Sequence, residues 1–303
     1  MRETLSRLDE PSQGGTTAFL TAYFELTKPR IIVLLLITTL AAMVMAARGI
    51  PPLALTFWTL LGGALAAGSA GALNCVFDAD IDAVMRRTRT RPIPTGTISP
   101  VHATVFAAAL GIASFAILYV FANPLAAWLS LCGNVYYVAI YTMWLKRRTP
   151  LNIVIGGAAG AVPPLVGWAA VAGSIGPAAL GLFALIFLWT PPHFWSLALI
   201  AETDYDKAKI PMLPNVAGVR RTKLEIVWYS AILVAASLAL YPLHVMGALY
   251  FGAAAVLGAV FMLDAVRTLR DPEQRSARTL FRFSLLYLAL MCAVMVADRI
   301  FLA

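Results

Sequence analysis

The sequence predicts an all-α fold, a polytopic membrane bundle of nine transmembrane helices with the N-terminus cytoplasmic and the C-terminus outside. Three observations predict it. Of the 303 residues 60% are hydrophobic and only 13% are charged, too little polar surface to cover a soluble globule. Apolar stretches long enough to cross a hydrocarbon core of roughly 30 Å recur from one end of the chain to the other. The basic residues alternate by loop, leaving Arg48 and Arg299 alone on one side while the rest of the 23 fall on the other. That is the positive-inside pattern, and it supports an odd number of spans.

The spans follow in order. A polar cytoplasmic segment, 1–25, precedes a single transmembrane domain, 26–303. Span 1 covers 31–47 and turns outside through Arg48 to Pro52. Span 2, 53–75, runs directly into a cluster of aspartates and arginines. Spans 3 and 4, 101–121 and 124–144, meet at a tight outside turn at Asn123 and Pro124, and span 4 closes on Lys146, Arg147 and Arg148. Span 5, 152–171, turns at Gly173 to Gly176 into span 6, 176–200, where Pro191 and Pro192 are expected to disrupt the helix and free backbone groups to line a cavity. Spans 7, 8 and 9 cover 225–242, 246–266 and 283–302. The outside connections are minimal and the inside ones hold nearly all the chemistry-capable side chains, so function is expected to face the cytoplasm.

Composition excludes several classes. The net charge of +8 is distributed by topology, which argues against nucleic acid and leaves membrane lipids as the basic surface's partner. Cys75, Cys132 and Cys292 fall singly in separate spans, with neither disulfide nor zinc spacing. The N-terminus lacks the layout of a secretory signal.

The chemistry concentrates in GALNCVFDADIDAVMRRTRTRPIPTG. If the helix of span 2 continues, Asn74, Asp78 and Asp82 follow at steps of four, each turning about 40° and rising about 6 Å, and form one oxygen-bearing stripe about 12 Å long. Asp80 then points to nearly the opposite side. Such a stripe of hard oxygens suits magnesium, which is held by one or two carboxylates together with substrate phosphates. The plainer alternative is a solvated helix end balanced by Arg86 and Arg87.

A second acidic cluster, Glu202, Asp204 and Asp206, closes span 6. Periodicity puts Glu202 and Asp206 on one face and Asp204 on another; alternatively these acids only balance Lys207 and Lys209. Lys28, Arg30, Arg91, Lys146 and Arg147 are candidate cations for the charge that develops when diphosphate departs. His102 and His244 read as ordinary interfacial residues. His193, in TPPHFW, is a candidate to ligate haem iron, position an acceptor or hydrogen-bond a carbonyl.

Asn74-xxx-Asp78-xxx-Asp82 together with the second acidic cluster resembles the signatures of the intramembrane UbiA-type prenyltransferase superfamily. Within it the chain resembles the protohaem IX farnesyltransferase (haem O synthase) family. LTKPRI at 26–31, YTMWLKRRTPLNIVIGGAAGAVPPLVGW at 141–168, PPHFW at 191–195 and DYDKAKIPMLP at 204–214 carry that closer likeness. The resemblance implies a nine-helix bundle and transfer of the farnesyl group of farnesyl diphosphate to a vinyl group of haem B. It implies Asn74, Asp78, Asp82 and Asp204 around magnesium and diphosphate, with Asp206 a further metal candidate. Haem B is then a substrate and not a retained cofactor. Asp78, Asp82, Asp204 and Lys146 form the expected catalytic set. Lys28, Arg30, Arg91, Tyr141, Arg147, Asn152, His193, Tyr205 and Lys209 form the substrate-contacting set. A bacterial inner membrane is the expected location, with a haem A synthase or an oxidase assembly protein as partner.

Other readings compete. An aromatic quinone precursor would keep the chemistry and change the acceptor. An ion-coupled transporter would place its acids near the midplane and show an inverted repeat. A non-enzymatic assembly factor would tolerate loss of either acidic cluster.

Overall fold

The structure, a computed structural model, describes residues 16–273 and 275–301. Among these residues nine helices are long and apolar enough to cross a membrane. They are α2 (Pro29–Ala47), α3 (Leu53–Phe77), α5 (Pro100–Phe121), α6 (Pro124–Val135, extended to Arg147), α7 (Asn152–Ala172), α8 (Pro177–Ile200), α11 (Val219–Ala239), α12 (Ala248–Arg270) and α13 (Arg275–Phe301). Short helix α1 (Thr16–Leu26) precedes α2, and short helices α4 (Ala79–Val84), α9 (Glu202–Lys207) and α10 (Leu213–Ala217) occupy the connections at the acid-bearing end. The expected all-α bundle of nine helices is therefore the observed architecture. Of the polar segment 1–25, residues 1–15 lie outside the described residues, and the remainder forms most of α1.

The helix starts follow from local chemistry. Proline opens α2, α5, α6 and α8, where its missing N–H costs nothing. Asn123 accepts from the Ala126 N–H at 2.9 Å to cap α6. Asp298, buried on α13, accepts from the Gly247 and Tyr250 N–H groups and so caps α12. Between helices, close approach replaces hydrophobic driving force, as lipid tails are as apolar as the side chains. At Gly167 a Cβ would stand 2.3 Å from the Thr39 carbonyl oxygen, so α2 and α7 touch backbone to backbone only because this position is glycine.

Three expectations need correction. Pro191 and Pro192 do not break span 6, because α8 runs through both. Two lost backbone bonds cost less in an apolar setting than an unwound turn with many unpaired groups. Thr190 and Ser196 support the segment by donating to the carbonyls of Ile186 and Pro192. Helices α11 and α13 begin six and more residues before the apolar stretches at 225 and 283, so Arg220, Arg221, Lys223, Arg275, Arg278 and Arg282 ride on helical turns. Span 4 also leaves the α register, since Tyr136–Trp144 is a π-helix followed by a 3₁₀ turn at Leu145–Arg147.

Candidate active site

The stripe forms, with one bend. Helix α3 ends at Phe77, Asp78 adopts φ −98° and ψ 9°, and α4 resumes at Ala79. The steps of four survive, because the Asp78 N–H donates to the Asn74 carbonyl at 2.9 Å and the Asp82 N–H to the Asp78 carbonyl at 2.7 Å. Asn74, Asp78 and Asp82 are all buried while Asp80 is exposed, as the periodicity predicts.

The cations come from distant segments. Lys146 donates to Asp78 Oδ2 at 2.5 Å, Arg91 to Asp82 Oδ2 at 2.7 Å, and Lys28 to Asn74 Oδ1. Asn74 Nδ2 donates to Asp78 Oδ2 at 2.8 Å and to Thr142 Oγ1 at 3.1 Å. Three cations thus surround two buried carboxylates, and the imbalance favours an incoming anion. Arg86 and Arg87 form none of these pairs, so the reading of a helix end balanced by them does not describe the first cluster.

Lys28 reaches the stripe from a strained backbone. It sits in the left-handed region at φ 59°, ψ 57°, a conformation that costs a non-glycine residue of order 1 kcal/mol. The turn carrying it lies flat on α3, where a Cβ at Gly71 would meet the Thr27 carbonyl oxygen at 2.9 Å. Burial presses the Lys28 ammonium down to about 8, with Arg91 and Lys146 adding to the effect and Cys75 and Asp78 opposing it.

The other candidates divide. Arg147 grips Asp80 with both terminal nitrogens at 2.7 Å and also donates to the Phe77 carbonyl, on the outer face of α4 and away from the stripe. Its guanidinium holds the Asp80 carboxyl below the usual range. Arg30, Asp206 and Lys209 are exposed. Asp204 is half-buried beside Tyr205. None of Glu202, Asp204 and Asp206 pairs with Lys207 or Lys209, so that plainer reading of the second cluster finds no ion pair here. Tyr205 and Met212 pack with Ile81 and Met85, which brings α9 onto α4. Burial raises the Tyr205 phenol above its ordinary range. Tyr141 lies against Gly156, where a Cβ would be 2.2 Å from its ring.

A magnesium ion fits these residues on one observation. Asp78 Oδ1 is buried and has no hydrogen-bond partner among the described residues, which in an apolar setting is costly unless something else engages it. Asn74 Oδ1, by contrast, is held by Lys28. Among the described residues no three histidine, cysteine or acidic side chains close on a single point. Asn152 is fully buried with its Oδ1 also unpartnered, and its Nδ2 donates to the Thr149 carbonyl.

His193 lies on α8 toward α13. Its ring is stacked between Trp189 (centroids 4.3 Å) and Phe281 (4.7 Å), and Nδ1 is 2.7 Å from Ser284 Oγ. Phe194 meets it edge-on at 5.2 Å and also packs into the Tyr205 and Ile81 cluster, linking the histidine to the acidic end. The sequence reading missed Thr142, Gly71 and Ser284; no local spacing marks them, since each acts on a residue of another segment.

Comparison with known proteins finds matches over nearly the whole chain. Residues 35–290 match the UbiA prenyltransferase family. A protoheme IX farnesyltransferase of Gloeobacter violaceus is 54% identical over 304 residues, covering 100% of this chain and 99% of that protein. One from a Synechocystis species is 54% identical over 281 residues, covering 92% and 89%. Among solved structures, a digeranylgeranylglyceryl phosphate synthase superimposes with a TM-score of 0.77 at 19% identity, covering 93% of this chain and 99% of that one. A UbiA homolog from Archaeoglobus fulgidus bound to DMAPP and Mg2+ gives 0.64 at 18% identity, covering 90% and 98%. At these identities the two structures bear on the fold alone.

Proposed function

The chain belongs to the UbiA prenyltransferase family and is a prenyltransferase, and from that premise we propose that it transfers the farnesyl group of farnesyl diphosphate to a vinyl carbon of haem B to make haem O. The observation that carries the reading is the buried Asp78 carboxylate, one oxygen paired to Lys146 and the other bare, inside a ring of three cations. The farnesyltransferase relatives supply the acceptor and the prenyl length, as proposals for this chain.

In this mechanism Asp78 and Asp82 would hold magnesium, with Asp204 and Asp206 of the second cluster as further candidate ligands. When bound, the metal neutralises diphosphate and eases its departure. Lys28, Lys146 and Arg91 receive the charge that develops on the leaving oxygens, with Arg30, exposed two residues after Lys28, as a further candidate cation. Fixed cations aimed at that charge lower the barrier more than they stabilise the ground state. The C–O bond of farnesyl diphosphate breaks with its electron pair on diphosphate. The vinyl π pair of haem then bonds to the farnesyl carbon, water adds to the resulting cation, and its proton is lost to leave the hydroxyl. Apolar packing by Ile81, Ile153 and Tyr205 keeps water from the allylic cation before it is captured. His193 contacts haem iron or orients the acceptor. We place the site at the cytoplasmic face of a bacterial inner membrane, on the asymmetry of the basic residues, with a haem A synthase or oxidase assembly protein receiving the product.

The test is direct. Purified protein incubated with haem B, farnesyl diphosphate and magnesium should yield the hydroxyethylfarnesyl adduct by mass. Its absence, alongside prenylation of a hydroxybenzoate, would move the chain to an aromatic quinone precursor.

A further inference from the structure

Two residues one turn apart on α8, Trp189 and His193, are both tied to a single residue of α13. Trp189 Nε1 donates to the Ser284 carbonyl at 2.7 Å, and His193 Nδ1 lies 2.7 Å from Ser284 Oγ. Ser284 is fully buried, so no water competes for either bond. The direction of the second bond follows from the hydroxyl's one proton. Ser284 Oγ sits 2.7 Å from the Phe281 carbonyl oxygen, which can only accept, so the hydroxyl proton is spent there. Toward His193 the serine oxygen must then accept, and Nδ1 must carry the hydrogen. A neutral imidazole with its hydrogen on Nδ1 has a bare lone pair on Nε2. Among the described residues no protein group hydrogen-bonds that nitrogen.

The ring has little freedom to present anything else. Trp189 and Phe281 close both of its faces at interplanar angles of 17° and 21°, so it cannot turn about its axis without displacing an aromatic side chain. The arrangement is that of a metal-binding imidazole, whose far nitrogen donates to an oxygen that sets its tautomer and aim.

We propose that Ser284 is a positioning residue that fixes His193 in the Nδ1–H tautomer, so that Nε2 offers its lone pair to the iron of the haem acceptor. This rests on the haem reading above, and the experiment separates the two. Ferric haem B is titrated into the purified full chain and into His193→Ala, Ser284→Ala and Ser284→Thr, following the Soret band and the electron paramagnetic resonance signal. Each is also assayed for binding a non-hydrolysable farnesyl diphosphate analogue with magnesium. The wild type should show nitrogenous axial ligation and His193→Ala should lose it. Ser284→Ala should weaken haem affinity about 10- to 100-fold, the usual loss when the outer partner of a ligating histidine is removed. Ser284→Thr, which keeps the hydroxyl, should restore it, and analogue binding should be unchanged in all four.

Three results would overturn the proposal. If Ser284→Ala titrates like wild type while His193→Ala does not, the haem contact stands and the role of Ser284 falls. If His193→Ala leaves the spectrum unaltered, the iron contact falls and the role of Ser284 with it. If Ser284→Ala also loses the diphosphate analogue, the serine is a packing residue of the α8–α13 interface.

Discussion

Lys146 and Asp78, 68 positions apart in the chain, meet at 2.5 Å and leave the second Asp78 oxygen buried without a partner among the described residues. That asymmetry separates a structural from a chemical role. Asp78→Asn should lower kcat for farnesyl transfer by ~10²–10³-fold at saturating magnesium, the usual loss when a preorganised electrostatic group is removed. Lys146→Ala should also destabilise, since it strands a carboxylate at 1% exposure. The double variant Asp78→Asn/Lys146→Met should recover thermal stability without recovering turnover. Full activity in Asp78→Asn would end the assignment of this carboxylate to the metal.

Removal of the metal follows the same logic. With two carboxylates close along one helical stripe, chelation of divalent cations should abolish farnesyl transfer, and added magnesium should restore it. Turnover that persists in excess chelator, with metal content verified, would remove magnesium from the mechanism.

Arg91 and Arg147 both pair with aspartates of α4 at 2.7 Å, yet their substitutions should differ sharply. Asp80, the partner of Arg147, is 65% exposed, and an exposed pair contributes at most ~1 kcal/mol, so Arg147→Ala should change kcat/KM by no more than about fivefold. Asp82, the partner of Arg91, is 4% exposed on the stripe itself, so Arg91→Ala should cost on the order of 10²-fold. Steady-state kinetics with farnesyl diphosphate as the varied substrate distinguishes them. Equal losses would mean that Arg147 also serves the diphosphate.

Gly71 sets the height of the turn that carries Lys28. Within a helix, alanine is favoured over glycine by ~1 kcal/mol, so Gly71→Ala should not harm α3 as a helix. Its methyl would instead press on the Thr27 and Leu26 carbonyl oxygens, at 2.9 and 3.3 Å, and lift Lys28 from Asn74. The KM for farnesyl diphosphate should rise about tenfold, the equivalent of one lost ~1.4 kcal/mol contact. Adding Lys28→Ala should cost nothing more. An additive double variant would show that the glycine acts elsewhere.

What could be read from the sequence was local. The stripe of Asn74, Asp78 and Asp82, with Asp80 turned away, needs only helical periodicity, and it survives the bend at Asp78 because the steps of four keep their backbone bonds. The nine spans needed only length and apolar composition. The partners of the stripe were not legible in the same way. Lys146 could be nominated as a cation, but its pairing with Asp78, like that of Thr142 with Asn74, depends on how α6 packs against α3. The expected break at Pro191 and Pro192 misjudged the setting, because a proline that ends a helix in water is tolerated where unwinding would strand more backbone. Ser284 and His193, 91 positions apart, meet only through the packing of α8 on α13.

The π-helix at Tyr136–Trp144 is the feature least visible in advance, and it aims the end of α6. Within it hydrogen bonds close over five residues, as in the Leu145 N–H to the Ile140 carbonyl, so the segment holds more residues than an α-helix of equal length. Deleting Ala139, which is exposed, should let the ladder relax toward α geometry. An α-helix turns each remaining residue by about 100° and raises it about 1.5 Å, more of both than the wider π turn, so everything after the deletion is re-aimed by the difference. Lys146 then leaves Asp78, Thr142 leaves Asn74, and Tyr141 loses its seat on Gly156. The deletion should therefore lower kcat at least as far as Lys146→Ala does, while circular dichroism shows unchanged helicity. Near-normal turnover would mean that the turn at Leu145–Arg147 absorbs the change and that the π register does not hold the lysine in place.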